Sequence, residues 1–362
     1  MVLFLFFFIS CSHNVENSIN VDFVSNNRVP NITIDSITFL ETSSSCLLGS
    51  ITTLYVDSNR IYLLDVDHAK SLFLFSTKGE FLSKTSYGQG PNELLEPVDF
   101  YVDDSLVYIW DQSSSKMNYY DRALNFIEAN KRDIVLRNFS RLGNDKWLVR
   151  SEYYDVYGKT TESDKTFYYY YIYSNDFERI EQTLIPFEQK FMSIALSDPI
   201  YKGRRPLFCN QFDMNIYGLD DEQRAIPIYK VNFIGKSLSE ADKEKSLELI
   251  FKRQAEGDIV ANIENIVCNN DLLSFQYPYK RDLHYVIYSK NDEVVYLSQS
   301  IISAGLLPKG RIHSVNSNNG FILTVSPIDF VEYVENHNNL GISKKVEIDD
   351  NPILVWFSVN QD

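Results

Sequence analysis

The stretch "YGQGPNELLEPVDFYVDDSLVYIWDQ", residues 87–112, places a glycine-proline turn ahead of two short apolar runs, the second closed by Asp111. Gly88, Gly90 and Pro91 supply the sharp backbone geometry of a tight crossing. Runs of this length rich in Val, Tyr, Phe and Ile, bounded by polar turns, read as strands. A helix would have to follow the glycines for them to cradle a phosphate, and a strand follows instead.

The same pattern stands immediately upstream. "SITTLYVDSNRIYLLDVDHAKSLFLFSTKGEFL" (50–82) aligns with "EPVDFYVDDSLVYIWDQSSSKMNYYDRALNFI" (96–127), so that Asp57 matches Asp103 and Asp65 matches Asp111, 46 residues apart. Phe75 matches Tyr120 and Phe81 matches Phe126, 45 apart, which implies a single-residue deletion. Each unit reads as four strands joined by turns, and four strands in a period in the forties are the signature of a propeller blade.

Further pairs of runs predict the second and third strands of later blades: 146–152 with 166–174, 214–220 with 225–233, 272–277 with 283–289, and 321–326 with 353–359. With the first two units, that makes six. The last unit lacks an outer strand, while NITIDSITFL (31–40) stands before the first unit with no place in it. The expected fold is therefore all-β: a six-bladed β-propeller of four-stranded antiparallel blades, closed by the N-terminal strand, which removes exposed sheet edges. One inserted helix is expected over 237–257, with Ser237 and Glu240 as a capping box, an apolar stripe of Leu247, Ile250 and Phe251, and Gly257 as the stop.

Composition agrees with this reading. Tyr and Phe number 24 each, and both favour strands. The formal charge is 34 − 49 = −15, a field that repels phosphate backbones and excludes nucleic acid and anionic lipid surfaces as partners. The opening MVLFLFFFIS is too short to span a bilayer and reads as a signal-peptide core. Cys11 follows a small residue in F-I-S-C, a pattern resembling a bacterial lipobox, so residues 1–11 are expected to be a lipoprotein leader ending at an acylated Cys11. Residues 12–30 are expected to be a flexible tether and 31–362 a single propeller domain. Cys46, Cys209 and Cys268 have no paired spacing and read as small buried hydrophobes.

At "GQGPNELLEPVDFYVDDSLVYIWDQSSSKMNYYDRALNFI" the chain resembles an NHL-type repeat, with its glycine-rich lead, proline before the inner strand and aspartate closing the second strand. The short leader, G-x-G-P-x-E near residue 90, I-Y-G-L near 217 followed by Y-K-V-N-F, and N-P-I-L-V near the end are similar to six-bladed β-propeller lipoproteins of Gram-negative anaerobes. The resemblance implies an outer-membrane lipoprotein of the cell envelope, from a group whose members mostly lack an assigned activity. Its glycine lead is lost in blades three to six, so no ligand rule carries over.

Topology narrows the expected site. Loops between second and third strands emerge on the same face as the crossings between blades, because two strand reversals separate them. Long insertions at 151–165, 187–206 and 326–351 are expected to decorate that face, which becomes the expected binding face. The residues on it suited to recognition are Tyr153, Tyr154, Arg204, Arg205, Tyr279 and Arg281, since aromatic faces stack on sugars or peptide side chains and arginine holds carboxylates bidentately. The expected partner is a protein, peptide or glycan of the envelope, with membrane contact through the lipid only. No cofactor, metal site or catalytic residue is expected: no G-x-S-x-G or H-E-x-x-H occurs, and Asp65 and Asp111 read as turn caps. The alternative is a propeller hydrolase or lyase with an axial site, for which His68, His284 and His313 would have to converge.

Overall fold

The computed structural model describes residues 17–143, 145–151, 167–187, 199–203, 205–315, 320–337 and 345–360. Two strands, β1 (Asn17–Val21) and β2 (Asn31–Phe39), precede the first blade. Blade 1 consists of β3 (Thr53–Val56), β4 (Arg60–Asp65), β5 (Ser71–Ser76) and β6 (Phe81–Lys84), and blade 2 of β7 (Pro97–Val102), β8 (Leu106–Asp111), β9 (Lys116–Asp121) and β10 (Phe126–Lys131). Blade 3 holds β11 (Asn138–Leu142), β12 (Lys146–Arg150), β13 (Phe167–Ser174) and β14 (Ile180–Phe187). Blade 4 holds β15 (Ile200–Tyr201), β16 (Leu207–Cys209), β17 (Asn215–Leu219) and β18 (Ala225–Phe233). Blade 5 follows with β19 (Glu264–Cys268), β20 (Leu272–Tyr279), β21 (Asp282–Ser289) and β22 (Val294–Leu297), and blade 6 with β23 (Arg311–Val315), β24 (Phe321–Val325) and β25 (Ile353–Asn360).

The N-terminal strand completes the ring: β2 lies antiparallel on β25, from Asn31 opposite Asn360 to Phe39 opposite Ile353. The first strand of each blade is innermost, and these inner strands contact one another in sequence around the axis, β23 meeting β3 to close the circle. The six-bladed fold expected from the repeat is the observed one.

The repeat is visible atom by atom. Asp65 accepts hydrogen bonds from the backbone N–H of Gly49 (2.7 Å) and His68 (2.9 Å), and Asp111 accepts from Leu95 (2.8 Å) and Ser114 (3.3 Å). Both carboxylates are fully buried caps, as their spacing implied. The aligned aromatic pairs Phe75–Phe81 and Tyr120–Phe126 face each other across equivalent strands, edge to face, with centroids 5.7 and 5.5 Å apart.

Each blade is covered on both sides by its neighbours, so the central strands are apolar on both faces rather than alternating. Six apolar clusters fill the six gaps between consecutive blades. The seam between blades 6 and 1 joins Ile322 and Leu354 to Leu54, Ile61, Leu63, Phe73 and Phe75, all buried. Burying a side chain of this size contributes roughly 1.5–3 kcal/mol, so the ring is held mainly by these gaps.

Several expectations need correction. In blade 4 the pair 214–220 with 225–233 forms the third and fourth strands, because β15 and β16, only two and three residues long, precede them. Within the expected tether, Asn17–Val21 form β1, which runs parallel to β18 as a fifth strand on the outer edge of blade 4. Phe23, just beyond it, stacks on Tyr279 at 4.8 Å. The helix expected over 237–257 is two helices, α1 (Glu240–Lys243) and α2 (Leu247–Glu256). The capping box belongs to Ser239 and Asp242 rather than Ser237 and Glu240, while Gly257 ends α2 in the left-handed region at φ 80° as expected. Of the predicted stripe, Ile250 is buried beneath α2 and Phe251 is exposed. Two unforeseen helices, α3 (Ser298–Ser303) and α4 (Pro327–Asn336), occupy a crossing and a second-to-third-strand loop. The sequence signal for α4 was Ser326 as N-cap, Pro327 at the first position and Asp329 in the first turn. Cys46 and Cys209 are buried, and Cys268 is half-buried with its sulfur 3.0 Å from Lys290 Nζ.

Candidate functional site

The disc has two unlike faces. Every inner strand runs from the crossing face to the opposite face, where the first-to-second and third-to-fourth strand turns emerge. All four helices lie in crossings or second-to-third-strand loops and so belong to the crossing face.

A cavity of about 560 Å³ occupies the axial channel. Its walls include Val56, Val102, Gly143 and Gly203, which stand at or just past the C-terminal ends of the inner strands of blades 1 to 4. It opens toward the turn face on these blades, runs the whole of β3 from Thr53, and reaches mid-strand at Phe100 of blade 2, Asn265 of blade 5 and His313 of blade 6. The volume falls within the range of small-molecule sites.

Aromatic and cationic side chains dominate its polar character. Tyr55, Tyr101 and Tyr201 come from blades 1, 2 and 4. Burial raises all three phenols above their ordinary value, Tyr201 to about 12, so each keeps its proton at neutral pH. Arg141, on β11, lies over the ring of the fully buried Trp147, 4.4 Å from its centroid. Stacking of this kind holds a guanidinium plane in place.

Lys202, just past β15, reaches back to the carboxylate of Asp99 on β7 and donates to the carbonyl of Phe100 at 2.6 Å. Asp99 is completely buried and also accepts from Phe139 N at 2.9 Å. A buried charge of this kind is tolerable only with a partner and hydrogen bonds. Lys202 thus ties blade 4 to blade 2 beside the inner end of blade 3.

His313 is 9% exposed, and neither ring nitrogen has a hydrogen-bond partner in the protein. Burial, reinforced by the charge of Arg311, pushes the imidazole well below its ordinary pKa, so it is neutral at pH 7. Asn265 beside it is 3% exposed and donates its amide to the carbonyl of Ile312, which fixes the amide at the wall. No carboxylate stands among the described residues of this lining, in a chain whose net charge is −15.

The residues singled out from sequence do not gather. Tyr153, Tyr154, Arg204 and Cys11 lie outside the described residues. Tyr279 and Arg281 sit at the β20–β21 hairpin on the crossing face, but Tyr279 is buried under Phe23 and donates its hydroxyl to the carbonyl of Gly257 at 2.9 Å. It is a packing residue. Arg205 belongs to the turn between β15 and β16 and so emerges on the opposite face. The segment 187–206 was expected wholly on the crossing face; β15 runs through it and carries its last residues across the disc. The three histidines do not converge either. His68 is exposed beside Asp65, His284 packs 5.6 Å from the Tyr277 ring, and only His313 reaches the channel. Among the described residues no cluster of three or more His, Cys, Asp or Glu could hold a metal. No described helix is long and apolar enough to cross a membrane.

Comparison with solved structures finds the same architecture. A protein from Bacteroides fragilis NCTC 9343, described as exported, is 18% identical, with a TM-score of 0.79 and coverage of 95% of this chain and 100% of that one. A member of the DUF4221 family from Bacteroides vulgatus ATCC 8482 is 10% identical, with a TM-score of 0.54 and coverage of 93% and 100%. At these identities the likeness is one of fold. No curated protein matches the chain. Residues 29–358 match the model of a domain of unknown function, DUF4934, over a span that begins just before β2 and ends within β25, so the match takes in the whole closed ring and the chain belongs to the DUF4934 family.

Proposed function

We propose that this propeller is a lipid-anchored binding module of the cell envelope that takes a part of its partner into the axial cavity on the turn face. The observation that carries the reading is the cavity's lining. Three protonated tyrosines and a stacked arginine surround a buried histidine whose nitrogens have no protein partner, and buried polar groups of that kind are normally satisfied. Binding is favoured over catalysis because the described lining offers one neutral histidine and no carboxylate. Hydrolase or lyase chemistry would need an acid and a base in concert.

The envelope address is supported by the apolar leader ending at Cys11 and by the exported description of the Bacteroides fragilis neighbour. β1 runs parallel to β18 with Asn17 opposite Tyr229, the middle of that strand, six positions after Cys11. Six residues reach at most ~20 Å, so an acyl anchor at Cys11 would hold the outer edge of blade 4, where β1 lies, close to the membrane.

Two measurements test the reading. Fractionation of cells expressing the chain or its Cys11→Ala variant should show membrane association lost in the variant. Val56→Trp, which fills the cavity mouth, should abolish capture of envelope glycans or peptides from arrays; capture that survives this block would remove the cavity from the account.

A further inference from the structure

Blade 4 carries a strand that the ring does not need for closure. β2 already completes the circle on β25, the other five sheets have four strands among the described residues, and the family match begins at residue 29, beyond β1. β1 is an addition to a finished blade, and it is held as a bound strand would be.

Its pairing is confined to one stretch of edge. Asn17–Val21 lie opposite Tyr229–Phe233 in parallel register, and Ile234 N donates to the carbonyl of Val21 at 2.8 Å. The earlier half of β18 is interrupted: Pro227 has no N–H to offer, and Ile228 bulges out of the pairing with β17. Such devices protect native edges, and they leave 229–233 as the stretch able to take a strand.

The side chains make the site selective. Ile19 and Val21 are fully buried in the gap between blades 4 and 5, in one cluster with Val231, Phe233 and Tyr277. Phe23 continues the alternation into an aromatic slot, its ring 4.8 Å from Tyr279 and 6.0 Å from both Phe233 and Tyr277. Asn17, Ser18 and Asn20 face outward, and Asn20 accepts from Asn232 Nδ2 at 3.1 Å. Main-chain pairing with places for alternate side chains is how a sheet edge recognises an extended peptide. The pattern recognised here is Ile-x-Val-x-Phe.

The tie between β1 and the ring is slight. Residues 22–26 form a turn closed by its own bonds, Asn26 N to Asp22 O at 2.9 Å and Ser25 Oγ to Asp22 Oδ2 at 2.7 Å, and Asn27, Arg28 and Val29 are exposed. Lifting β1 away breaks contacts that an identical strand restores, and another copy of the chain carries that strand. Exchange of an identical element is a low-cost route to dimers. Its balance is set by concentration, because a strand on a short tether acts at an effective concentration on the order of millimolar.

We infer that the outer edge of blade 4 is a strand-docking site, filled within one chain by residues 17–23 and, between crowded chains, by the same segment of a second copy. Nothing in this site depends on the axial cavity or on an anchor.

Two experiments on the full chain test it. In the first, Ile19→Asp with Val21→Asp displaces the resident strand, and fluorescence anisotropy follows a labelled peptide of residues 17–24. The variant should bind the peptide, the parent far more weakly, and Phe23→Ser in the peptide should cost about tenfold or more in affinity. A variant shown by its melting curve to be folded, yet indifferent to the peptide, would overturn the site; Val21→Ser serves if the double variant does not fold. In the second, a Ser18→Cys chain is mixed with a Lys230→Cys chain, since these exposed positions pair directly. Oxidised at a concentration on the order of millimolar, the mixture should give more covalent dimer on a non-reducing gel than either variant alone, and the excess should vanish on dilution. A mixture that never exceeds its components would leave the site to its own strand and overturn the second copy as occupant.

Discussion

Asn351 is the residue whose removal most directly tests how the ring is sealed. It is 2% exposed and stands just before β25, yet every partner of its side chain lies some three hundred residues earlier, in the loop after β2. Its Oδ1 accepts from Leu48 N at 2.7 Å, and its Nδ2 donates to the carbonyls of Glu41 at 2.7 Å and Cys46 at 2.8 Å. Its backbone N–H donates to Thr42 Oγ1 at 2.9 Å. Asn351→Ala would keep that last bond and remove the other three, leaving the Leu48 N–H and the Cys46 carbonyl without those partners and the Glu41 carbonyl with the Cys46 thiol alone. Counting about 1 kcal/mol per lost bond, in line with the cost of leaving a buried donor unmade, the loss is about 3 kcal/mol. With an unfolding entropy of roughly 2.1 cal/mol/K per residue over a chain of this size, that corresponds to a fall of about 4 °C in Tm. Calorimetry and urea unfolding followed by both far-UV dichroism and tryptophan fluorescence are the assays. Asn351→Asp sharpens the test: it keeps the acceptor for Leu48 but turns a carboxylate oxygen on two carbonyls. Its carboxyl pKa must then rise, its deficit must exceed that of the alanine variant at pH 7, and the deficit must shrink as the pH is lowered and the carboxyl protonates. A melting midpoint for Asn351→Ala equal to the parent's would show that the seam does not depend on these bonds and that the reasoning about closure is wrong.

Three other outcomes follow from the structure. Lys202→Met removes the cation beside the buried Asp99 carboxylate and should cost about 3–5 kcal/mol in urea unfolding, whereas the double variant Lys202→Met with Asp99→Asn should recover most of it; no recovery would mean the pair is not what holds blades 2 and 4 together. Deleting residues 1–22 removes β1, whose Ile19 and Val21 are fully buried, and uncovers the β18 edge. The β dichroism should persist while concentration-dependent association appears in sedimentation, and a chain that no longer folds would show β1 to be integral to the ring. His313 has a folded pKa below its ordinary 6.5, so it opposes folding only where the unfolded imidazole is protonated. Stability should therefore decline as pH drops below 6.5, and His313→Gln should flatten that limb without changing the curve above it; an identical acid limb would contradict the buried, neutral assignment.

The architecture was legible because a propeller repeats its chemistry as well as its shape. Asp65 and Asp111, spaced by one period, cap the same backbone positions in successive blades, and the pairing of Phe75 with Phe81 returns as Tyr120 with Phe126. Even the absent last strand was informative, since an unpaired edge must be covered and only 31–40 was free to cover it. Blade 4 was misregistered for an equally physical reason. Its inner strands, Ile200–Tyr201 and Leu207–Cys209, are too short to show periodicity, so in the sequence the longer third and fourth strands stand where a second and third would be read.

That one-strand slip is also why Arg205 was expected on the crossing face. Moving a blade's register by a single strand exchanges the two faces of the disc for every loop attached to it, and so Arg205 was grouped with Tyr279 and Arg281, from which the thickness of the sheet separates it. It also hid Tyr201 and Lys202, which stand at the end of a strand the sequence did not display. The axis of a propeller takes one strand from every unit, so its lining has no contiguous motif; Tyr101, Arg141, Lys202 and His313 become neighbours only when the ring closes. One trace of the site was nonetheless present in the repeat. Tyr55 and Tyr101 are 46 residues apart and hold the same place in the inner strand of consecutive blades, and both face the cavity. Both rings also pack into the gaps between blades, Tyr101 against Trp147 of blade 3, so the repeat displays an aromatic position of the strand nearest the axis that serves the wall of the channel and the packing together.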